Sequence, residues 1–291
     1  MRFDSYHPLI NLIYFAAAIA FSIAFNHPLF VLLSFICALI CAFSLRGRRT
    51  LFVLLALLPL MALYTWWYSF YNHFGVTALG ENFAGNSITA EALFYGASLS
   101  LRAGAVALFI SCLLAVFTAD KVVYLFGRLS PKLSLFIAIL LRSAPRTLAY
   151  ARRISISQQG IGRGPGQGSL PARFVNALRL CSVLITWTLE NFLESSLSMR
   201  SRGYSLRGRT AFSLYRFDNR DRSLVVLIFA LLITILAGAA LDQTHIYYDP
   251  RIIMMPVTAL SFVFYAAYGL FLLLPVIIQI VCARRFAAAA A

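Results

Sequence analysis

The stretch whose residue types best suit a specific interaction is Ser198-Met199-Arg200-Ser201-Arg202-Gly203-Tyr204. A guanidinium offers a planar fork of donors that pairs with a carboxylate through two parallel hydrogen bonds, and a lysine does not reproduce this. A glycine just past a helix end takes the left-handed conformation that closes the helix. Arginines in the last turn sit favourably against the helix dipole. Those two effects alone would make the stretch a helix cap. The fork adds recognition, so Arg200-Ser201-Arg202-Gly203 also reads as a cationic tip for docking on an acidic partner. A second glycine–arginine element, Gly162-Arg163-Gly164, ends an earlier helical segment about forty residues before, which gives the pattern of a two-pronged contact.

Residues for bond-breaking chemistry are scarce. The histidines (His7, His27, His73, His245) fall in four separate terminal or loop segments, without the H-E-x-x-H spacing of a metal hydrolase. No serine near them has a nucleophile-elbow context. Glu190 and Glu194 share a helix face, but paired-carboxylate chemistry draws on converging elements, so they read as a solvated face or as intrachain ion pairs. The cysteines (Cys37, Cys41, Cys112, Cys181, Cys282) fall mostly in apolar segments and read as small buried hydrophobes rather than a metal site. The run Gly160-Ile161-Gly162-Arg163-Gly164-Pro165-Gly166-Gln167-Gly168 has no Gly-Lys-Ser/Thr ending and no βα unit around it, so it is a flexible turn and not a nucleotide loop. No enzymatic activity and no cofactor are expected in this chain.

Elements that would position the tips follow from composition. Of 291 residues 61% are hydrophobic and only 12% charged, about half the charged share of a soluble domain. The fold expected is all-α: a polytopic membrane protein with six spans at about 9–25, 28–45, 51–71, 92–117, 223–241 and 253–282. The first apolar run lacks an A-x-A-like cleavage site, so no cleavable signal peptide is expected. Arg46-Gly47-Arg48-Arg49, the region after the fourth span and Arg284-Arg285 are basic, whereas the other three loops hold only Arg251. That alternation places the N- and C-termini inside.

Residues 119–222 carry 17 of the 25 lysines and arginines against five acids. A basic block beside spans reads as positive-inside bias, as a surface for anionic lipid, or as a dock for an acidic partner. No nucleic-acid partner is expected, because the arginines alternate with long apolar runs and no nucleic-acid motif is present. Within the block, Pro131, the glycine run and Pro171 divide three helices, at 119–129, about 132–160 and about 171–202, the first with Thr118 or Asp120 near its N-cap. The apolar runs Leu133–Leu141 and Cys181–Leu189 are too short to cross a bilayer and suit helices lying against the membrane. Arg102, near the middle of the fourth span, must face the bundle interior: it caps carbonyls or snorkels, or it packs on a second membrane subunit. Glu91 is too far along the helix to pair with it.

These features together resemble a family, the transmembrane T component of energy-coupling-factor transporters, ABC-type importers of vitamins and metal ions in prokaryotes. His7-Pro8-Leu9 and Asn26-His27-Pro28 resemble its opening spans, and Leu101-Arg102 and Phe117-Thr118-Ala119-Asp120 its passage into the cytosolic region. Leu141-Arg142-Ser143-Ala144-Pro145, with Arg146 and on to Arg153, resembles its coupling helix. Met199-Arg200-Ser201-Arg202-Gly203-Tyr204, followed by Arg209-Thr210, resembles its second Ala-Arg-Gly motif, with Ser201-Arg202-Gly203 in that place. The first motif departs: aligning Gln158 with the family's glutamine puts Ile161-Gly162 where Arg-Gly stands, and a two-residue shift offers Arg163-Gly164 instead.

The resemblance implies a non-catalytic scaffold in the plasma membrane. It would join a substrate-binding membrane S component to two ABC ATPase subunits, which bind ATP and magnesium. Each coupling-helix tip would dock on one ATPase, with Arg202 as the second docking arginine, and Arg142, Pro145 and Arg146 would support the coupling helix. On this reading residues 1–118 hold four spans, 119–210 the coupling region, 211–286 two spans, and 287–291 an alanine-rich tail with no assigned function. A conventional ABC permease would couple through E-A-A-x-x-x-G, and Glu194 is followed six residues later by Arg200 instead of glycine. Two further classes compete with the coupling subunit: a membrane enzyme and a lipid-binding membrane protein.

Overall fold

A computed structural model of the chain describes residues 3–81, 87–204, 206, 215, 217–248, 253–254 and 258–290. Arg209-Thr210 and Arg251 lie outside the described residues. After a short 3-10 turn at Phe3–Ser5, the helices run α1 Pro8–Ala24, α2 Pro28–Arg46, α3 Arg49–Tyr71, α4 Ala90–Val116, α5 Ala119–Leu129, α6 Pro131–Gly160, α7 Leu170–Ser201, α8 Asn219–Ala240 and α9 Ala259–Ala290. Two short antiparallel hairpins, β1 Ala78–Glu81 with β2 Ser87–Thr89 and β3 Ile246–Tyr247 with β4 Ile253–Met254, precede α4 and α9. The chain is an all-α polytopic membrane protein. It divides into two compact units, Met1–Thr118 with Tyr215–Ala291, and Ala119–Leu214.

Local chemistry sets the helix ends. Proline occupies the first turn of α1, α2, α6 and α7, where its missing N–H is one of the unused donors anyway. His7 caps α1, its Nδ1 accepting from Leu9 N at 3.3 Å. Asp218 and Asp221 form a reciprocal capping box at the start of α8.

In the first unit α1, α2, α4 and α9 enclose a core that includes Tyr14, Phe30, Phe109, Tyr268 and Phe271, all essentially without exposure. Within a bilayer such contacts gain van der Waals packing rather than release of water. Pro275 interrupts the hydrogen-bond ladder of α9. The nearby carbonyl of Leu272 accepts from Tyr14 Oη at 2.7 Å and from Cys41 Sγ at 3.2 Å. On α4, Gly96, Ser100 and Gly104 recur every four residues and let α3 approach. A Cβ on Gly104 would lie 2.7 Å from Met61 Sδ, and Thr65 Oγ1 donates to Ser100 Oγ at 2.9 Å.

By length and composition alone six helices could cross a membrane, α2, α3, α4, α6, α8 and α9, and α1 is a shorter apolar helix; the sequence reading counted α1 among its six and not α6. α1 has 17 residues, about 25 Å of helix, at the lower end of the lengths that span a hydrocarbon core of about 30 Å. α6 qualifies because Pro131–Gly160 is continuous through Pro145, so the run at Leu133–Leu141 belongs to a longer apolar helix. The sixth span starts at Ala259, not near 253, because residues 253–254 form β4. The alanine-rich segment continues α9 as far as Ala290. Of the cysteines, Cys37, Cys41 and Cys112 are buried, but Cys181 is exposed and Cys282 is half-buried.

Candidate functional site: the α6–α7 hairpin

The second unit is built on α6 and α7, which run antiparallel. α5 braces the start of α6, where Ser134 Oγ donates to the Val123 carbonyl at 2.9 Å. Near mid-length Tyr150 and Trp187 stack with ring centroids 3.8 Å apart and planes 11° off parallel. The connecting turn is tied by Gly164 N donating to Gln167 Oε1 at 3.0 Å and by Asn176 Nδ2 donating to the Gly164 carbonyl at 3.3 Å.

Both long helices end in the same way. At α6, Gly162 has φ 73°, its N–H donates to the Gln159 carbonyl at 3.1 Å, and Arg163 N donates to the Gln158 carbonyl at 2.9 Å. At α7, Gly203 has φ 77°, its N–H donates to the Arg200 carbonyl at 3.0 Å, and Tyr204 N donates to the Met199 carbonyl at 3.1 Å. This double closure is the Schellman arrangement, which requires a left-handed residue. Only glycine takes that conformation without steric cost.

The equivalence fixes the register of the two tips. Ile161 (φ −100°, ψ 14°) stands where Arg202 (φ −84°, ψ 8°) stands, one residue before the glycine. Gln158, Gln159 and Gly160 match Met199, Arg200 and Ser201, and Arg163 matches Tyr204. The sequence offered Ile161-Gly162 or Arg163-Gly164 as the first tip; of the two, Ile161-Gly162 has the backbone position that Arg202-Gly203 has at the end of α7. Ile161 is 65% exposed. Arg163 instead lines a pocket of about 350 Å³ with Arg179, Gln158, Asn176 and Ser182, and Gly164 beside it is buried in the turn. Arg179 was not singled out in the sequence, because nothing local pairs it with Arg163.

On the other side of the aromatic stack the helices flank a groove of about 540 Å³. Arg142 and Arg146, one turn apart on α6, line it together with Arg202 of the α7 tip, Asn191 and Glu194. Pro145 lies between the two α6 arginines without ending the helix, and hydroxyls hold the local ladder: Ser143 Oγ donates to the Leu140 carbonyl and Thr147 Oγ1 to the Ser143 carbonyl, both at 3.0 Å. Glu190 and Glu194 are exposed, and among the described residues neither is in an ion pair. The groove therefore joins residues read separately in sequence: the supporting Arg142 and Arg146, and the tip residue Arg202.

Arg102 belongs to the first unit. Its Nη1 donates to the Ile23 carbonyl at 3.4 Å and to Asn26 Oδ1. The same turn is held from α8's end, where the Thr244 carbonyl accepts from Asn26 N at 3.1 Å and His27 N at 3.0 Å. Arg102 thus caps the end of α1, the carbonyl-capping role, from inside its own chain. His27 is buried against Tyr265, and burial pushes its imidazole below the ordinary value. Among the described residues no three His, Cys, Asp or Glu side chains are grouped to hold a metal ion.

The hairpin thus has two capped helix ends with different terminal side chains and a groove lined by arginines. Comparison of the chain with known family models and with curated proteins finds no match in either.

Proposed function

We propose that this chain is the membrane coupling subunit of an ATP-driven importer of the energy-coupling-factor type. The observation that carries the reading is the matched closure of α6 and α7 at Gly162 and Gly203, which leaves one side chain projecting at each tip. A subunit that receives motion from a soluble partner needs long, stiff helices with defined ends, and α6 and α7 have 30 and 32 residues. The Arg202 tip pairs with a carboxylate on one ABC ATPase. The Ile161 tip offers the other ATPase an aliphatic contact, so the two docks are unequal. ATP and magnesium bind in the ATPases, and their closure moves the tips. The hairpin passes that motion to a membrane S component that binds a vitamin or a metal ion. The chain itself is not catalytic. It sits in a prokaryotic plasma membrane with both termini cytoplasmic.

The test is a mild-detergent pull-down of the tagged chain from its native membrane, with mass spectrometry of the co-purifying proteins. Two ABC ATPases and a small, very hydrophobic protein are the expected result. Recovery of the folded chain alone would overturn the reading.

A further inference from the structure

The α6–α7 groove is cationic and apolar at once. Among the described residues, none of the guanidinium groups of Arg142, Arg146 and Arg202 has an ion-pair or side-chain hydrogen-bond partner, although all three line one space. Glu194 is the one carboxylate in the described lining, so positive charge is in excess there. An arginine cluster of this kind attracts a phosphate, because the fork donates two parallel hydrogen bonds to it. The same groove is walled by Leu135, Ile139 and Phe192. Beside it, Phe136 and Leu140 are exposed at 58% and 43%, and no residue in the apolar window of α6 is buried.

A small soluble anion would satisfy the arginines and leave the apolar wall in water. An acidic peptide would do the same for Phe136 and Leu140. A molecule with a phosphate at one end and acyl chains at the other matches both halves. We propose that the groove seats an anionic phospholipid, with its phosphate at Arg142 and Arg146 and its first acyl carbons along Leu135 and Ile139. The inference does not rest on the transporter reading, and lipid occupancy is compatible with either outcome of the pull-down.

Trp187 lines the same groove and reports on it. The chain has three tryptophans, so Trp66→Phe with Trp67→Phe leaves Trp187 as the single emitter. That variant is reconstituted in phosphatidylcholine vesicles containing phosphatidylglycerol, with bromine on the acyl chains of one lipid or the other. At equal mole fraction, brominated phosphatidylglycerol is expected to quench Trp187 more strongly than brominated phosphatidylcholine. In Arg142→Ala with Arg146→Ala the preference should fall by roughly fivefold per arginine removed. Arg142→Lys with Arg146→Lys should retain much of it, and unchanged helical circular dichroism identifies folded variants. Equal quenching by the two lipids, or a preference unaltered in the alanine pair, would overturn the proposal. Quenching by neither lipid would overturn it as well.

Discussion

Ile161 and Arg202 occupy equivalent backbone positions, each the last residue before a left-handed glycine at the end of a long helix. One tip is aliphatic and the other cationic, on the same scaffold. The two helix ends differ in side-chain chemistry, while the carbonyl closure beneath them is the same.

That closure gives the first prediction. Gly203→Ala and Gly162→Ala each place a Cβ at φ 77° or 73°, which costs about 1 kcal/mol or slightly more. The end of each helix should fray, and hydrogen exchange at the Tyr204 and Arg163 amides should accelerate about tenfold. Exchange unchanged at both amides would mean that the closure contributes nothing.

Charge at the second tip gives the next. On the coupling-subunit reading, Arg202→Glu removes a charged hydrogen bond of about 1.5–3 kcal/mol and adds repulsion. Recovery of ATPase with the chain should drop at least tenfold while membrane insertion persists. Arg202→Lys should fall between wild type and Arg202→Glu, since it keeps the charge and loses the fork. Undiminished co-purification and uptake in Arg202→Glu would contradict the docking role.

His27 sets a pH dependence. Burial lowers its folded-state value below the ordinary 6.5, so below that pH the unfolded chain binds the proton more readily than the folded one. This contribution to stability is complete above about pH 6.5 and declines as pH falls through and below it. Melting temperature in detergent should therefore drop on acidification from about pH 8 to pH 5, and less so in His27→Phe, which keeps a ring against Tyr265. Equal slopes in the two proteins would assign the acid sensitivity elsewhere.

Arg102 ties α4 to the turn after α1 through Asn26 Oδ1 and the Ile23 carbonyl. Arg102→Leu should destabilise the first unit by about 1.5–3 kcal/mol, the range for a hydrogen bond to a charged group. Thermal unfolding monitored through the first unit's own aromatic residues measures it. A second substitution, Asn26→Leu, should then cost less in the Arg102→Leu background than alone, and strict additivity would show that the two do not interact.

Punctuation made much of this fold legible. The helices expected at 119–129, about 132–160 and about 171–202 are α5, α6 and α7, displaced by at most a residue at each end, because Pro131, Pro171 and the glycines at 162 and 203 act locally. Hydropathy was less decisive. Length and hydropathy alone do not separate α1 from α6, because one is apolar but short, while the other is long but interrupted by Arg142, Arg146, Arg152 and Arg153. Contacts between distant residues were not readable. The need for Arg102 to find a carbonyl followed from its place in a span, but Asn26 is 76 positions away and nothing in either neighbourhood names the other. The shared groove of Arg142, Arg146 and Arg202 likewise depends on the antiparallel pairing of α6 and α7, which no local pattern encodes.

The Tyr150–Trp187 stack has a mechanical consequence. It clasps two rods of about 45 Å each near their middles, with open volume between them on both sides, the Arg163–Arg179 pocket on one and the Arg142–Arg146–Arg202 groove on the other. The connecting turn joins the rods at one end and the stack joins them near the middle, so the Arg163–Arg179 pocket is held at both of its ends. The Arg142–Arg146–Arg202 groove has the stack at one end only, so it is the volume whose walls are free to part.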